Sequence, residues 1–208
     1  MSGREASVSG SVLGAVRVKK GRQAIVPLRE EKGRKCLVCD INPAMREAWE
    51  KELERRPRLA ALCSVVAGGI TDLRVDAVVS PANSFGFMRG GVDGVYTRVF
   101  GEGVESGLQA IIRTLPAEEL PVGEALIVPT GHSGIPWLIS APTMRRPSVL
   151  HDGDPVRRSA RAAMRAGLEQ AFASIAFPGM GTGTGRLPFD AAAKAMFDGM
   201  EEALFSPR

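Results

Sequence analysis

Short apolar runs alternate with longer amphipathic stretches over most of this chain. The apolar runs have the composition of buried strands and fall at residues 36–39, 62–66, 75–79, 124–128, 137–141 and 174–177. Helical spacing of apolar positions marks residues 42–55, 104–115, 157–173 and 190–204, and residues 129–134 have the composition of a turn. This alternation predicts an α/β fold, a three-layer α/β/α sandwich with a mixed, largely parallel central sheet.

The beginning of the chain differs from the rest. Residues 1–34 are rich in glycine, serine, arginine and lysine, and only residues 12–18 and 24–28 have local strand character. We therefore predict an N-terminal leader or edge hairpin over residues 1–34 and one α/β domain over residues 35–208. A chain of 208 residues suits a single core.

Several protein classes are disfavoured by composition. No apolar run approaches the ~20 residues that span a bilayer, and the first residues lack the apolar stretch of a secretory signal, so we expect a cytoplasmic protein. Cys36 and Cys39 have the spacing of half a zinc site, but no second pair accompanies them. Residues three apart on a strand point to opposite faces, which favours structural burial. We expect neither a metal nor a cofactor.

Charge adds little to this picture. The formal net charge of +4 permits an anionic ligand and equally describes an ordinary basic surface. The four arginines within residues 157–173 are expected to form a solvated helix face, so nucleic acid is a disfavoured partner. The oligomeric state does not follow from the sequence.

Polar candidates follow the apolar strand at residues 75–79. Ser80-Pro81 ends this strand, Asn83 comes next, and Asp93 opens a helix just after a pair of glycines. Ligands of open α/β sheets bind beyond the carboxyl ends of strands, where Asn83 falls. Taken singly, Asn83 is better explained as a turn residue and Asp93 as a helix N-cap.

A glycine-rich loop follows the last predicted strand. Glycines occupy every second position from residue 179 to residue 185, a pattern that lets backbone N–H groups approach an anion. The loop lacks the Gly-Lys-Ser/Thr ending of a Walker motif, and no further strand follows to complete a Rossmann unit. We expect this loop to cooperate with residues 83–93.

These motifs together resemble a macrodomain, the ADP-ribose-binding α/β/α module, of the bacterial single-macrodomain type. The resemblance covers residues 62–204, and the strand and helix at residues 35–55 also resemble those of one bacterial branch. It rests on Gly68-Gly69-Ile70-Thr71, Val75-Asp76-Ala77-Val78-Val79, Ala82-Asn83, Gly90-Gly91-Val92-Asp93-Gly94, Pro121-Val122-Gly123-Glu124-Ala125, Ile175-Ala176-Phe177-Pro178 and Thr182-Gly183.

The resemblance implies a role for each matched segment. Gly69 and Ile70 would lie beside the adenosine, Asn83 would hold hydroxyls of the distal ribose, and Asp93 would position or activate a water near the distal anomeric carbon. Such chemistry needs a carboxylate and an amide but no metal. Two loops would bind the diphosphate, one formed by Gly90, Gly91 and Val92 and the other by Gly179, Gly181, Thr182, Gly183, Thr184, Gly185 and Arg186.

The chain also departs from the family pattern at both ends of the implied ligand. At the adenine end, Gly69 replaces an aspartate, for which Asp40 or Asp72 are possible substitutes. Arg186 follows Gly185 where an aromatic-glycine pair is usual, and could add a charged phosphate contact.

At the other end, Ser80 replaces an asparagine and Thr97 stands where hydrolases often carry histidine. Residues 141–145 are expected at the same edge of the sheet.

Three hypotheses follow. The favoured one is a hydrolase that releases ADP-ribose from modified acidic side chains or small ADP-ribose esters, with Asn83 and Asp93 as catalytic residues. In the second, the chain is a non-catalytic reader of free or protein-linked ADP-ribose. In the third, the ligand is another nucleotide or RNA.

Overall fold

The computed structural model describes residues 16–17 and 35–206 of the chain. Seven strands form one sheet: β1 (Val16–Arg17), β2 (Lys35–Asp40), β3 (Cys63–Ala67), β4 (Ala77–Ser80), β5 (Leu126–His132), β6 (Ile135–Ser140) and β7 (Ser174–Phe177). Six α-helices accompany them: α1 (Pro43–Glu54), α2 (Pro57–Ala60), α3 (Gly91–Phe100), α4 (Gly103–Ile112), α5 (Asp154–Glu169) and α6 (Phe189–Phe205). Short 3₁₀ turns lie at Ile70–Asp72 and Pro116–Glu118.

The strands lie in the order β1-β5-β6-β4-β7-β2-β3. Strands β6, β4, β7, β2 and β3 pair in parallel, while β5 and β1 are added antiparallel at one side. The sheet is therefore mixed and largely parallel, as predicted. The five parallel strands all end at the same edge, which gives the chain one place where the loops that follow them meet.

Helices cover both faces of the sheet. On one face, α1, α5 and α6 pack over alternate residues of β2, β4 and β7 in a core that includes Trp49 and Phe197. On the other face, α3 and α4 pack over the intervening residues in a second core that includes Tyr96 and Leu108. Because a strand presents successive residues to opposite faces, the continuous apolar strands supply both cores. The three-layer prediction is confirmed.

The cysteine pair behaves as its position on a strand predicts. Cys36 belongs to the core under α1, α5 and α6, whereas Cys39 belongs to the core under α3 and α4. Cys36, Cys39 and Cys63 are all buried free thiols. Within residues 16–17 and 35–206, no group of three or more potential ligands is placed to hold a metal ion, and no helix is long and apolar enough to cross a membrane.

One local prediction is wrong. Residues 129–132 continue strand β5 instead of forming a turn, and the antiparallel register with β6 shifts between Pro129 and His132. Among the described residues, β1 pairs with Leu126 and Ile127 and not with Pro129, and a proline is tolerated in a strand where no neighbour needs its missing donor. The structure also adds the short helix α2, which the apolar spacing did not indicate.

Most of the predicted N-terminal segment lies outside the described residues. Of residues 1–34, the structure describes Val16–Arg17, which pair antiparallel with β5 at the edge of the sheet. The prediction of a leader or hairpin over the remaining residues stays a prediction.

Candidate functional site

A cleft of about 530 Å³ opens at the edge where the parallel strands end. Loops that follow five different strands contribute to it, although those loops are far apart in the sequence. The lining consists of residues 39–41, 68–70, 81–83, 87, 89–93, 95, 143–144, 147, 178–179 and 181–185. The two segments expected to cooperate, around residues 83–93 and 179–185, thus face one cavity.

Asn83 lies in this lining, directly after β4, and its side chain is engaged by its own loop. The amide nitrogen donates to the Phe87 carbonyl at 3.0 Å, and the amide oxygen accepts from the Phe85 N–H at 3.1 Å. The backbone of Asn83 forms a parallel bridge with Met144, and Ser84 donates to the Met144 carbonyl at 3.1 Å. The turn explanation of Asn83 therefore holds as a structural role alongside its place in the cleft.

Asp93 lies in the first turn of α3, in the lining of the cleft, and only 8% of its surface is exposed. It is not the N-cap, which is Gly90. Ser80 donates a hydrogen bond from Oγ to Oδ1 of Asp93 at 2.6 Å. Burial raises the pKa of Asp93 from 3.8 to about 7, with a smaller contribution from the charge of Glu105, while the Ser80 hydrogen bond opposes this rise.

Side-chain hydrogen bonds attach helix α3 to strand β4 and to the loop that precedes the helix. The Tyr96 hydroxyl donates to the Val79 carbonyl at 3.0 Å, which ties the helix to the end of β4. The Thr97 hydroxyl donates to the carbonyls of Met88 and Asp93, at 2.8 and 3.1 Å. Thr97 is outside the lining of the cleft. It fastens the loop before α3 to the first turn of that helix.

Both glycine segments present uncommitted backbone donors to the cleft. Among the described residues, none accepts a hydrogen bond from the N–H groups of residues 90–93 or 182–185. Gly90 caps α3 without a side-chain hydrogen bond, so the helix N-terminus is open. The backbone of Gly91 adopts φ +54°, and that of Gly181 φ +78°, both conformations that favour glycine. Two sets of free amides therefore converge on one space, which is the arrangement that binds anions.

The end of the cleft at β2 and β3 carries a different set of groups. Asp40 lies in the lining and accepts from the Asn42 N–H through Oδ1 at 2.8 Å. A Cβ atom added to Gly69 would lie 2.7 Å from Oδ2 of Asp72, so the Asp72 carboxylate fills the space beside Gly69. Asp72 itself is outside the lining. Ile41 is 77% exposed and also lines the cleft.

The structure brings together nearly all of the residues that the sequence singled out. Asp72, Thr97 and Arg186 lie outside the lining, and of these Arg186 has φ +54° and is exposed. Pro147 lines the cleft without having been predicted, and so does Phe87, which lies within the predicted segment 83–93 but was not singled out and is 51% exposed. Their positions in loops offered no sequence signal. The expected contribution of residues 141–145 is made by Thr143 and Met144.

Comparison with known proteins defines the family of this chain. Residues 79–196, more than half of its length, match the model of the Macro domain family, so the chain belongs to that family. An uncharacterized protein from Aquifex aeolicus is 38% identical over 144 residues, which are 69% of this chain and 82% of that protein. A macro domain-containing protein in the gbd 3' region of Cupriavidus necator is 32% identical over 145 residues, or 67% and 80% of the two chains.

Among solved structures, a mutant of the Oceanobacillus iheyensis macrodomain with ADPR shares the fold with a TM-score of 0.57. It is 23% identical, and the match covers 64% of this chain and 73% of that one. The macrodomain resemblance and the α/β/α fold predicted from the sequence are confirmed.

Proposed function

We propose that this chain binds ADP-ribose in the cleft and hydrolyses ADP-ribosyl linkages to acidic side chains or small ADP-ribose esters. The observation that carries this proposal is the meeting of Asn83, Asp93 and two sets of free backbone amides in one cavity of about 530 Å³. The family supports it, because the Oceanobacillus iheyensis macrodomain was solved with ADPR.

The diphosphate would occupy the middle of the cleft. Residues 90–93 and residues 182–185 both line the cleft, and none of their N–H groups donates to another described residue. Amides of this kind bind phosphate oxygens without paying to break existing hydrogen bonds, and the positive end of α3 adds to the attraction. Arg89 also lines the cleft and places a cation near this position, whereas Arg186 lies outside the lining.

The base would lie at the end formed by Asp40, Ile41 and Ile70. Ile41 offers an exposed apolar surface for the face of the ring. A carboxylate accepts hydrogen bonds, so it can recognise the exocyclic amine of adenine. Asp40 is the better candidate for this contact than Asp72, because Asp40 lines the cleft and Asp72 packs beside Gly69 outside it.

The distal ribose would then reach Asn83 and Asp93. In the proposed reaction a water attacks the anomeric carbon, the bond between that carbon and the ester oxygen breaks, and the carboxylate leaves. The ionised Asp93 takes the proton of the attacking water. A pKa of about 7 suits this role, because a general base works best when its pKa is near the working pH.

A second candidate function has an observation in its favour. Both polar atoms of the Asn83 side chain are used within the loop at residues 83–87, so the amide holds the loop and has limited capacity to hold substrate hydroxyls. This arrangement favours a reader that binds ADP-ribose without turnover. Binding is common to both functions, and turnover separates them.

The test uses a protein modified with ADP-ribose on aspartate or glutamate. The proposed hydrolase releases ADP-ribose from it, and Asp93→Ala and Asn83→Ala each reduce the rate at least about a hundredfold, the scale of positioned acid–base groups. Calorimetry with free ADP-ribose checks that both variants retain the cleft. Full turnover by both variants would contradict the catalytic assignment, and binding by the unmodified chain without any release would select the reader.

A further inference from the structure

The contact between Ser80 and Asp93 joins two rigid parts of the molecule. Ser80 is the last residue of β4 and is fully buried. Its carbonyl accepts from the Ala141 N–H at 2.9 Å, and its backbone is in register with Ser140 of β6. Asp93 belongs to α3, which Tyr96 ties to the same strand. Neither partner can therefore move far without disturbing the sheet or the helix.

The hydrogen bonding of the Asp93 carboxylate depends on Ser80. Among the described residues, Ser80 is the one hydrogen-bond donor to it, and the bond reaches Oδ1 only. The second oxygen, Oδ2, has no donor from the described part of the chain, and the residue lines the cleft. The two oxygens thus differ in their surroundings, one being held by the sheet and the other left open.

We propose that Ser80 is a positioning residue for the hydrolysis, whose hydroxyl holds Oδ1 of Asp93 and leaves Oδ2 to accept the proton of the attacking water. This inference rests on the proposed function.

The pairing has a consequence for the ionisation of Asp93. A hydroxyl that donates to a carboxylate stabilises the charged form, whereas burial and the charge of Glu105 favour the protonated form. Removing the hydroxyl leaves only the two influences that raise the pKa. The carboxylate is then protonated over more of the neutral range, and the reaction needs a higher pH to reach the same rate.

The chain supplies a matched control in Ser140. This serine is also fully buried, is the register partner of Ser80, and lies on the same face of the sheet because parallel partners point the same way. Its hydroxyl has no hydrogen-bond partner among the described residues. Ser140→Ala therefore removes a buried serine hydroxyl from the neighbouring strand and leaves the hydrogen bond between Ser80 and Asp93 in place.

The experiment measures the rate of ADP-ribose release against pH for the full chain, Ser80→Ala, Ser80→Thr and Ser140→Ala. We expect Ser80→Ala to move the acidic limb of the profile upward by about 1 to 2 pH units, the effect of losing a hydrogen bond to a charged group. Ser80→Thr keeps a hydroxyl and should restore the profile to within about half a pH unit. Ser140→Ala should leave the limb in place.

A second readout keeps this inference distinct from the proposed function. The ¹³C signal of the Asp93 carboxyl, assigned by its loss in Asp93→Asn, reports ionisation without any turnover, and in Ser80→Ala its midpoint should rise by the same amount. A chain that releases no ADP-ribose overturns the catalytic roles of Asp93 and Ser80 together, whatever this midpoint does. An active chain in which Ser80→Ala slows release equally at every pH, with no change in the midpoint, overturns the role of Ser80 alone.

Discussion

Asp93 should destabilise the fold at neutral and alkaline pH, and Asp93→Asn tests this. Asparagine keeps the shape of the side chain and an oxygen that can accept from Ser80, but it removes a buried charge, since only 8% of the residue is exposed. The folded protein holds a proton on Asp93 up to about pH 7, whereas an unfolded chain releases it near pH 3.8. Folding is therefore less favourable at pH values at which the Asp93 carboxyl is ionised in the unfolded chain.

The size of the effect follows from these two values. Stability falls as pH rises from 3.8 to about 7 and is level above that, because the folded state binds more protons across this interval. The interval corresponds to about 4 kcal/mol at most. The favourable position of a carboxylate in the first turn of α3 offsets roughly 0.3–1 kcal/mol of it. We expect Asp93→Asn to gain about 2–4 kcal/mol above pH 8, or roughly 5–15 °C in Tm.

Urea unfolding of the unmodified chain and the variant between pH 4 and pH 9 measures this gain. Asp190→Asn is the matched control, because Asp190 also lies in the first helical turn, in α6, but is exposed. The gain from Asp93→Asn should shrink as the pH falls and vanish near pH 4, while Asp190→Asn stays within about 0.5 kcal/mol throughout. A gain that is absent at pH 8, or equal at pH 4 and pH 8, would refute the reasoning.

Two further predictions concern binding and folding of the cleft. Asp40→Ala should weaken the binding of ADP-ribose, measured by calorimetry, by roughly 10-fold to 100-fold, because a hydrogen bond to a charged acceptor is lost. Asp72→Ala should change the affinity less than about threefold. A larger effect of Asp72→Ala than of Asp40→Ala would assign the contact with the base to Asp72. Gly185→Ala would place a Cβ atom against the Gly181 carbonyl oxygen and should lower the free energy of unfolding by about 1–3 kcal/mol. The control is Gly183→Ala, whose Cβ atom would meet nothing within 4 Å and which should be as stable as the original chain. Equal free energies of unfolding for the two variants would contradict the tight packing of Gly185.

The fold and the location of the cleft could be predicted from local sequence patterns. Continuous apolar strands alternating with amphipathic helices imply a parallel sheet covered on both faces, and the parallel strands must end at one edge. Asn83 and the loop at residues 179–185 both follow such strands, so their convergence needed no knowledge of contacts. Residues 129–132 were predicted as a turn because Pro129 lacks a backbone donor. Whether a strand tolerates proline depends on whether a neighbouring strand needs that donor, and the local sequence does not contain this information.

The finer arrangement of the site depended on tertiary contacts. The Ser80–Asp93 hydrogen bond requires Ser80 to face the layer that contains α3, and the sequence does not say which layer that helix joins. The position of Arg186 depends on a backbone with φ +54°, which a non-glycine residue seldom adopts. The engagement of the Asn83 side chain by its own loop was one of two explanations open from the sequence, and its hydrogen bonds to Phe85 and Phe87 show it directly.

The central claim is that the cleft binds ADP-ribose through the free amides at residues 90–93 and 182–185. Calorimetric titration of the full chain with ADP-ribose tests it most directly, with AMP and ribose 5-phosphate as probes that lack the diphosphate. We expect one site per chain and at least about tenfold tighter binding of ADP-ribose than of either fragment. Absence of binding, or binding of AMP as tight as that of ADP-ribose, would contradict it.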